Sequence, residues 1–409
     1  MVSLSNAFDV VVVGGGPGGS STAALLGKQG KKVLLVDKAQ FPRDKTCGDA
    51  VSGKSGNVLR ELGLVDIVEK SPHEEVWGIT FSSPKGTIVS VDFPSQYGHP
   101  QGYICRRFIY DNLLFQNAKR FAEVWERFRV TDIIRENGFV VGVKGKHLDT
   151  GKEEEVRAKI VVGADGATSV VATKLGLNLL LPEHHCGALR AYYSGISGLT
   201  QHIEIHFLDG LIPGYFWIFP LSNGEANVGV GMVTSDIRKR NVNLKQAMMD
   251  VIEKNPVFKE RFKNAKMIGD IKGWNLPFGS YRRKAHGNGF LLVGDAASLI
   301  DPFSGEGIGN AMTSGSYAAK TIEKAFEKND FCEVVLKEYE DSLWECIGSD
   351  LKTSHRLQRL GKNRFLLNWV LGKAARNKEL RETISGMIAN RESKTSLISP
   401  VFYLKLLFM

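Results

Sequence analysis

The chain has 409 residues, 43% of them hydrophobic, and a formal net charge of +9, which predicts a soluble globular enzyme with two domains and a tail. It begins without the charged-then-apolar pattern of a signal peptide and has no window close to the ~20 apolar residues of a spanning helix, so we expect a cytoplasmic protein. Its five cysteines, Cys47, Cys105, Cys186, Cys332 and Cys346, show no CxxC or Cys/His spacing, which argues against a disulfide framework and a zinc site and leaves no metal expected.

The first predicted element is a β-strand that breaks into glycines, in residues 9–19 (DVVVVGGGPGG). A run of Val that can be buried on both faces suits the central strand of a parallel sheet. Gly14 allows the tight turn, Gly16 lets the backbone approach a pyrophosphate, and Gly19 lets the following helix pack on the strand. That helix, predicted over residues 20–29, directs its N-terminal N–H groups and positive dipole end at the phosphate.

A second strand, residues 32–37, ends in an acid and strengthens this interpretation. Asp37 follows Gly14 by 23 residues, at the spacing where a carboxylate can accept both hydroxyls of an adenosine ribose. The two features together predict a dinucleotide site. Because the site opens the chain, we expect FAD rather than NAD as the bound cofactor.

The spacing of hydrophobic residues changes along the next segments of the chain. Residues 41–50 are predicted as a loop and residues 56–70 as a helix, and residues 76–93 alternate as antiparallel strands do. A helix is expected from Arg107 to about residue 121, then strands near residues 124–134 and 139–144. A further strand, residues 159–163, runs into Asp165 and Gly166, which suits a return to the nucleotide domain.

The remaining segments complete the predicted organisation. Antiparallel strands are expected between residues 186 and 275, interrupted by a helix over 244–253, and a buried strand over 289–294 leads to Asp295, a glycine loop and a helix over 311–324. The predicted fold class is α/β plus antiparallel β, with a Rossmann-type FAD-binding domain (1–75, 101–185 and 276–330) interleaved with an antiparallel-sheet substrate domain (76–100 and 186–275). Residues 331–409 are predicted to form a helical basic C-terminal region.

Four separated motifs identify a family resemblance. They are the Gly14 to Gly19 turn with Asp37, the Arg107-x-x-Tyr110-Asp111-x-x-Leu114 helix, the Gly163-Ala-Asp165-Gly166 turn, and Gly294-Asp295-Ala296 with its glycine loop. The chain thereby resembles the flavoprotein superfamily of aromatic hydroxylases, squalene epoxidases, flavin halogenases and geranylgeranyl reductases. Within it, the chain looks most like the geranylgeranyl reductases, on residues 45–50 (KTCGDA), 215–220 (YFWIFP) followed by Asn227-Val-Gly229, and 302–307 (PFSGEG).

The resemblance implies FAD as cofactor and a set of contacts. Asp295 would bind the ribityl hydroxyls, and Arg107 the ribityl or pyrophosphate region, with a structural salt bridge as the alternative for Arg107. Asp165 would hold a loop over the flavin, and the glycine loop would bring a helix N-terminus against the flavin's pyrimidine side. The full expected cofactor set is Gly14, Gly16, Pro17, Gly18, Gly19, Asp37, Lys38, Cys47, Gly48, Asp49, Ala50, Arg107, Asp165, Gly166, Asp295, Gly305, Gly307 and Ile308.

Three residues are predicted to be catalytic: Cys47, Tyr215 and Trp217. Saturating an isolated alkene requires a hydride and a positioned proton donor in a dry pocket, and the Cys47 thiol, in a loop after a strand, is our candidate. An inert buried cysteine is the alternative. Tyr215, Trp217 and Phe219 alternate, so they point to one face of a strand and could line a polyisoprenoid tunnel or, alternatively, pack in a core. The Tyr215 hydroxyl could orient Cys47 or donate a proton directly.

The predicted function is FAD-dependent reduction of C=C bonds in polyprenyl chains, on an isoprenoid lipid, a chlorophyll precursor or a menaquinone side chain. The alternatives are an FAD-dependent monooxygenase or halogenase, or a flavin electron carrier with no substrate pocket. Ser298 stands where aromatic hydroxylases often have histidine, and Gly48-Asp49-Ala50 where halogenases typically have Gly-Glu-Ser, so reductase is preferred. Ferredoxin, a quinol or NADPH remain open as electron donor.

The net charge is concentrated in the tail. From residue 356 to residue 409, eleven Lys and Arg minus three Glu give an excess of +8. No recognition motif accompanies this charge, so no nucleic acid is expected. An anionic membrane surface, at the inner face of the membrane, or an acidic electron-donor protein suits it better. Residues 365–371 and 397–409 could form interfacial helices or pack on the body of the protein.

Overall fold

The structure is a computed structural model that describes residues 7–93 and 102–388. Its strands are β1 (Ala7–Val13), β2 (Val33–Val36), β3 (Ala50–Ser52), β4 (Glu74–Glu75), β5 (Gly78–Ser82), β6 (Ile88–Asp92), β7 (Gly102–Ile104), β8 (Glu123–Trp125), β9 (Phe128–Glu136), β10 (Phe139–His147), β11 (Glu153–Gly163), β12 (His185–Ser194), β13 (His202–His206), β14 (Tyr215–Leu221), β15 (Glu225–Val233), β16 (Lys266–Pro277), β17 (His286–Gly287) and β18 (Phe290–Leu292). Its helices are α1 (Pro17–Lys28), α2 (Ser55–Leu62), α3 (Val65–Glu69), α4 (Arg107–Ala118), α5 (Val170–Lys174), α6 (Thr234–Arg240), α7 (Leu244–Lys254), α8 (Pro256–Arg261), α9 (Ile308–Lys328), α10 (Glu333–Leu360), α11 (Arg364–Ala374) and α12 (Lys378–Ile388). These elements form a mixed α/β fold with several sheets, as the sequence predicts.

An eight-stranded sheet is built around the Val-rich strand β1. β1 pairs in parallel with β2 and β11, β2 with β8, and β11 with β18. Val10, Val11 and Val12 are fully buried, as expected for a strand covered on both faces. The prediction of a central parallel strand at residues 9–13 is therefore confirmed. β9 and β10 extend this sheet from β11 as an antiparallel pair.

Helices α1 and α9 pack against each other because both carry small residues where they meet. A Cβ on Gly315 would lie 2.7 Å from both the Gly18 carbonyl oxygen and Thr22 Oγ1, closer than carbon and oxygen can approach. This close packing holds the N-terminal ends of α1 and α9 beside each other at the end of the parallel strands.

The second sheet has seven strands in the order β16-β12-β15-β14-β13-β5-β6. The prediction of an antiparallel sheet is wrong for one pair of strands, since β13 pairs with β5 in parallel. These two strands are separated by more than a hundred residues, so no hairpin dictates their relative direction. The other joints of this sheet are antiparallel.

Three local predictions differ from the structure. Helix α1 begins at Pro17 rather than at residue 20, because Pro is well suited to the first helical position. The single helix predicted over residues 56–70 is two helices, α2 and α3, since Gly63 adopts a φ of +74° and ends α2. A small sheet, β3-β7-β4, was not predicted, because strands of two or three residues have no readable period.

The C-terminal helices lie against the body of the protein. Leu371, Ala374 and Leu380 of α11 and α12 are buried in one hydrophobic cluster with Val89 and Val91 of β6. This is the packed alternative of the sequence analysis for residues 365–371, although Phe365 is 81% exposed. The second predicted apolar stretch, residues 397–409, lies outside the described residues. Within the described ranges, no helix has both the length and the apolar character needed to cross a membrane.

Candidate active site

The glycines after β1 form a turn in which side chains are excluded at two positions. Gly14 has a φ of +105°, and a Cβ there would lie 2.5 Å from the Ala164 carbonyl oxygen. A Cβ on Gly19 would lie 1.8 Å from the Gly14 carbonyl oxygen, so Gly19 serves the packing of helix on strand. At Gly16 a Cβ would meet only Arg43 Nη2, at 3.7 Å. Gly16 therefore leaves an open cradle at the first turn of α1.

The acid at the end of β2 ties this turn to the strand. Asp37 Oδ2 accepts a hydrogen bond from the Gly15 backbone N–H at 2.7 Å, and Oδ1 accepts one from the Ala39 N–H at 2.7 Å. Each carboxylate oxygen keeps a further lone pair. Asp37 and Lys38 line the same cavity as Gly14, Gly16, Pro17 and Gly18, so Asp37 is placed to accept from a ribose.

A second helix N-terminus opens on that cavity. Strand β18 leads into a single turn of 3-10 helix, Gly294–Ala297, and the glycine loop then begins α9 at Ile308. Neither α1 nor α9 has a side chain capping its N-terminus, so backbone N–H groups of both remain available to anionic groups. Cavity-lining residues from this part of the chain include Asp295, Gly305, Gly307 and Ile308. This donor set fits a dinucleotide whose pyrophosphate and ring system lie across two helix N-termini.

Asp165 and Gly166 also line the cavity, but Asp165 is occupied within the protein. Its carboxylate accepts hydrogen bonds from the backbone N–H of Val170 at 2.6 Å and from the Ser169 hydroxyl. Burial raises the pKa of Asp165, while these donors act against that rise. Asp165 thus holds the loop that begins α5.

Arg107 is nearly fully buried and forms the salt bridge that the sequence analysis kept as its alternative. Its Nε and Nη2 donate to the two oxygens of Asp111 at 2.5 and 2.7 Å, and Arg43 Nη1 donates to Asp111 Oδ2 at 2.8 Å. Although burial acts to raise it, these two guanidinium groups hold the pKa of Asp111 below its ordinary value. Arg107 and Cys47 line the same cavity, and the two side chains are near enough to interact electrostatically.

The loop that carries Cys47 lies against the aromatic strand β14. Cys47 is half-buried and lines the cavity, and its carbonyl oxygen accepts a hydrogen bond from Asn227 Nδ2 at 2.7 Å. A Cβ on Gly48 would lie 3.1 Å from the Phe219 ring, a tight contact, so glycine at residue 48 favours the close approach of the loop to β14. The structure therefore brings Cys47 together with the predicted aromatic wall.

The aromatic residues of β14 share one face, as their alternation predicts. Tyr215, Trp217 and Phe219 all line the cavity. The Tyr215 hydroxyl donates to the Ser304 carbonyl oxygen at 2.7 Å, which joins it to the glycine loop and not to Cys47. Its predicted role in orienting Cys47 has no support in this hydrogen-bond pattern.

Asp49 is placed differently from its expected position in the cofactor set. It is fully buried with a φ of +64°, and it is not among the residues lining the cavity, although Gly48 and Ala50 are. Its Oδ2 accepts hydrogen bonds from the Tyr192 hydroxyl at 2.7 Å and from Asn227 Nδ2 at 2.8 Å. Burial, opposed by these two donors, raises the pKa of Asp49 to about 6. The structure gives Asp49 a supporting position behind the Cys47 loop.

One cavity of about 790 Å³ connects these parts. It runs from the turn at Gly14 past Cys47 and Asp295 to an apolar chamber on the second sheet. The side chains of the apolar chamber are Ile79, Phe81, Ile203, Ile205 and Phe207. The arrangement can hold a dinucleotide at one end and a water-excluding hydrocarbon group at the other.

Sequence reasoning missed two residues of this site. Arg43 precedes Cys47 by four residues in the same loop, lines the cavity, and directs Nη2 towards the Gly16 cradle; a cation so near a predicted phosphate site was a usable signal. Asn227 contacts Cys47 across 180 residues of sequence; it belongs to the Asn227-Val-Gly229 stretch of the family resemblance, but no site role was predicted for it. Among the described residues, no cluster of His, Cys, Asp or Glu could hold a metal ion.

Comparison with known proteins gives consistent matches. Residues 7–341 match the family model described as FAD binding domain. A digeranylgeranylglycerophospholipid reductase of Methanococcoides burtonii is 35% identical over 359 residues, which are 86% of this chain and 83% of the relative. A menaquinone reductase of Mycobacterium tuberculosis is 30% identical over 339 residues, 78% of each chain. The crystal structure of a geranylgeranyl bacteriochlorophyll reductase-like protein from Thermoplasma acidophilum matches with a TM-score of 0.77 at 28% identity, covering 98% of this chain and 96% of that one.

Proposed function

The chain belongs to the FAD binding domain family of flavoproteins and uses FAD, and from this premise we propose that it is a reductase that saturates C=C bonds of geranylgeranyl or other polyprenyl chains. Relatives named digeranylgeranylglycerophospholipid reductase and menaquinone reductase support this assignment. The observation that carries it is the continuity of the cavity from the dinucleotide turn to the apolar chamber. An alkene in a prenyl chain offers no polar handle, so walls of aliphatic and aromatic side chains are what can hold it.

Cys47 is the proposed proton donor. Reduction of an isolated alkene adds a hydride to one carbon and a proton to the other, and reduced FAD supplies the hydride. The S–H bond of Cys47 would break as the new C–H bond forms, which leaves a thiolate that interacts with the nearby Arg107 guanidinium. The positive charge of Arg107 would stabilise that thiolate until a solvent proton restores the thiol. Tyr215 and Trp217 are proposed as walls that hold the alkene beside Cys47.

The proposed FAD contacts are drawn from the predicted set, without the residues whose side chains or positions serve the protein's own packing and hydrogen bonds. Gly16, Gly18 and the start of α1 hold the pyrophosphate, Asp37 the adenosine ribose, and Asp295 the ribityl hydroxyls. Arg43 joins the pyrophosphate contacts because its Nη2 reaches the Gly16 cradle. Asp49 acts from behind the loop, through Tyr192 and Asn227, and Cys47, Gly48, Ala50, Gly305, Gly307 and Ile308 face the ring system.

The domain organisation remains part of the proposal. Residues 1–75, 101–185 and 276–330 would form the FAD-binding domain, and residues 76–100 and 186–275 the substrate domain interleaved with it. Residues 331–409 would form the helical C-terminal region. The two large sheets, one mainly parallel and one mainly antiparallel, support this division.

The finer substrate and partners are also proposed. The polyprenyl group would belong to an isoprenoid lipid, a chlorophyll precursor or a menaquinone side chain, and the electron donor would be ferredoxin, a quinol or NADPH. The protein would work in the cytoplasm, associated with the inner face of the membrane through its basic C-terminal region. Deleting residues 397–409 should reduce co-sedimentation with anionic liposomes, and unaltered binding would remove the membrane role from that segment.

Anaerobic photoreduction of the bound FAD tests the proposed function. Adding geranylgeraniol to the reduced protein should restore oxidised flavin absorbance without oxygen, with product that mass spectrometry finds heavier by one H2 per reduced bond. Reoxidation only after oxygen is admitted, with a hydroxylated product, or with a halogenated one when halide is present, would instead establish the monooxygenase or halogenase alternative.

A further inference from the structure

Asn227 makes three hydrogen bonds that connect the aromatic wall, the Cys47 loop and buried Asp49. Its Oδ1 accepts from Trp217 Nε1 at 3.0 Å, and its Nδ2 donates to the Cys47 carbonyl oxygen at 2.7 Å and to Asp49 Oδ2 at 2.8 Å. Asn227 itself is fully buried. Three of the four hydrogen bonds that a carboxamide can make are thus used inside the protein.

The orientation of this amide follows from its neighbours. The indole N–H of Trp217 can only donate and the Cys47 carbonyl can only accept, so Oδ1 must face Trp217 and Nδ2 must face Cys47. An aspartate carboxylate at position 227 only accepts, leucine does neither, and serine has a single donor hydrogen, so none of them can make all three hydrogen bonds. The position requires an amide of this length.

The neighbouring strands explain why the amide reaches all three partners. Asn227 of β15 pairs with Tyr192 of β12 on one side and with Phe219 of β14 on the other. Two residues further along β15, Gly229 lies opposite Trp217, and a Cβ there would be 2.3 Å from Trp217 Cζ2. The absence of a side chain at Gly229 lets the indole lie across the sheet with its N–H towards Asn227.

Asp49 is held from a second direction by Tyr192. The Tyr192 hydroxyl donates to Asp49 at 2.7 Å, and its ring lies between the guanidinium groups of Arg106 and Arg190, at 4.2 and 4.1 Å from the ring centroid. These two cation–π contacts help keep the ring in place. The Cys47 loop is therefore tied at Cys47 itself and at Asp49, two residues later.

We propose that Asn227 is a positioning residue that clamps the Cys47 loop to Trp217 and so sets the thiol beside the substrate wall. Its effect on turnover rests on the proposed function, in which Cys47 donates the proton. The clamp itself acts on the loop whether or not a prenyl substrate is present.

The clamp can be measured without substrate, through alkylation of Cys47 in the FAD-loaded protein. Iodoacetamide labelling of the tryptic peptide of residues 46–54 is followed by mass spectrometry, with the exposed Cys346 as internal reference. In Asn227→Asp, a carboxylate oxygen would face both the Cys47 carbonyl and the Asp49 carboxylate. The labelling rate of Cys47 relative to Cys346 should rise by about tenfold, because the loop loses two buried hydrogen bonds.

Turnover provides the second readout. With geranylgeraniol, Asn227→Asp should lose about 10-fold to 100-fold in kcat with KM and bound FAD unchanged, since a displaced donor affects the chemical step. Asn227→Ser, whose smaller side chain leaves room for water, carries the same expectations should the aspartate variant not fold. Asn243→Asp is the matched control, because Asn243 caps α7 and aspartate caps equally well.

An unchanged Cys47 to Cys346 labelling ratio in the folded variants would overturn the clamp. A raised Cys47 to Cys346 labelling ratio with unchanged kcat would show that Asn227 holds the loop but has no positioning role in catalysis. Wild-type protein that shows the clamp but reduces no prenyl alkene would refute the proposed function alone.

Discussion

The buried carboxyl of Asp49 makes the stability of this protein depend on pH in a defined direction. Burial raises the pKa of Asp49 from 3.8 to about 6, despite hydrogen bonds from Tyr192 and Asn227. The pKa of Asp49 is higher in the folded state than in the unfolded state, so protonated Asp49 stabilises the fold. This stabilisation is complete below about pH 3.8 and is lost as pH rises through about 6. A shift of about two units at 1.36 kcal/mol each corresponds to about 3 kcal/mol.

Replacing Asp49 by asparagine removes this dependence. The introduced carboxamide stays uncharged, and its oxygen can accept from both Tyr192 and Asn227, which donate to the same Asp49 oxygen. Its NH2 group then faces the Arg107 backbone N–H, whose nitrogen lies 3.4 Å from Asp49 Oδ1, and this cost is the same at every pH. The free energy of unfolding of Asp49→Asn minus that of wild type should therefore increase by about 3 kcal/mol from pH 4 to pH 7, because only the wild type loses stability over this range.

Thermal unfolding of the FAD-loaded proteins across pH 4 to 8 measures this difference. Other titrating groups are common to both proteins and cancel in it. Asp149→Asn is the control, because Asp149 is 62% exposed in a surface ion pair. A difference in Tm between Asp49→Asn and wild type that stays constant from pH 4 to pH 7 would refute the reasoning that burial governs Asp49.

Three further predictions concern the site. Cys47→Ala should keep FAD bound and lose about 100-fold or more in prenyl reduction, whereas Cys346→Ala should lose none; unchanged turnover would exclude Cys47. A Cβ at Gly229 would lie 2.3 Å from both Trp217 Cζ2 and the Leu189 carbonyl oxygen, so Gly229→Ala should displace the indole and the neighbouring strand, at a cost of about 1–3 kcal/mol or more in stability and with a higher KM. Gly372→Ala, which meets no atom within 4 Å, should change neither, and an unaltered Tm in Gly229→Ala would contradict both close approaches. Arg43→Met should weaken FAD binding by about 10-fold to 100-fold in a fluorescence titration, unlike the surface variant Arg157→Met, and equal affinities would remove Arg43 from the pyrophosphate contacts.

The motifs that were readable in sequence are those whose chemistry is local. Gly14 must be glycine because its φ is +105° and the Ala164 carbonyl oxygen lies where a Cβ would be. Such a constraint is visible in the sequence as a glycine. The alternation of Tyr215, Trp217 and Phe219 likewise reports a strand face, and all three do line the cavity. Asp37 is the first acidic residue after the apolar run of β2, so the end of that strand was also readable in the sequence.

Other features have no local signature. The parallel joint between β13 and β5 depends on a long connection, and the two-residue strand β4 is too short to show a period. An arginine at position 107 is equally compatible with cofactor binding and with a salt bridge to Asp111. Only the observed contact with Asp111 distinguishes these two roles. For the Tyr215 hydroxyl, the partner is Ser304, 89 residues away.

The sequence by itself determined the dinucleotide turn, the central parallel strand and the aromatic face, because each depends on neighbours a few residues apart. It also determined the FAD assignment, through a family resemblance whose four motifs are each short and local. The tertiary structure alone decided that Asp49 lies behind the loop, that Arg43 reaches the Gly16 cradle, and that Asn227 ties Cys47 to Trp217. Those contacts join segments that sheet register brings together, and the contact of Cys47 with Asn227 spans 180 residues. Register depends on the packing of whole sheets, which no short stretch of sequence encodes.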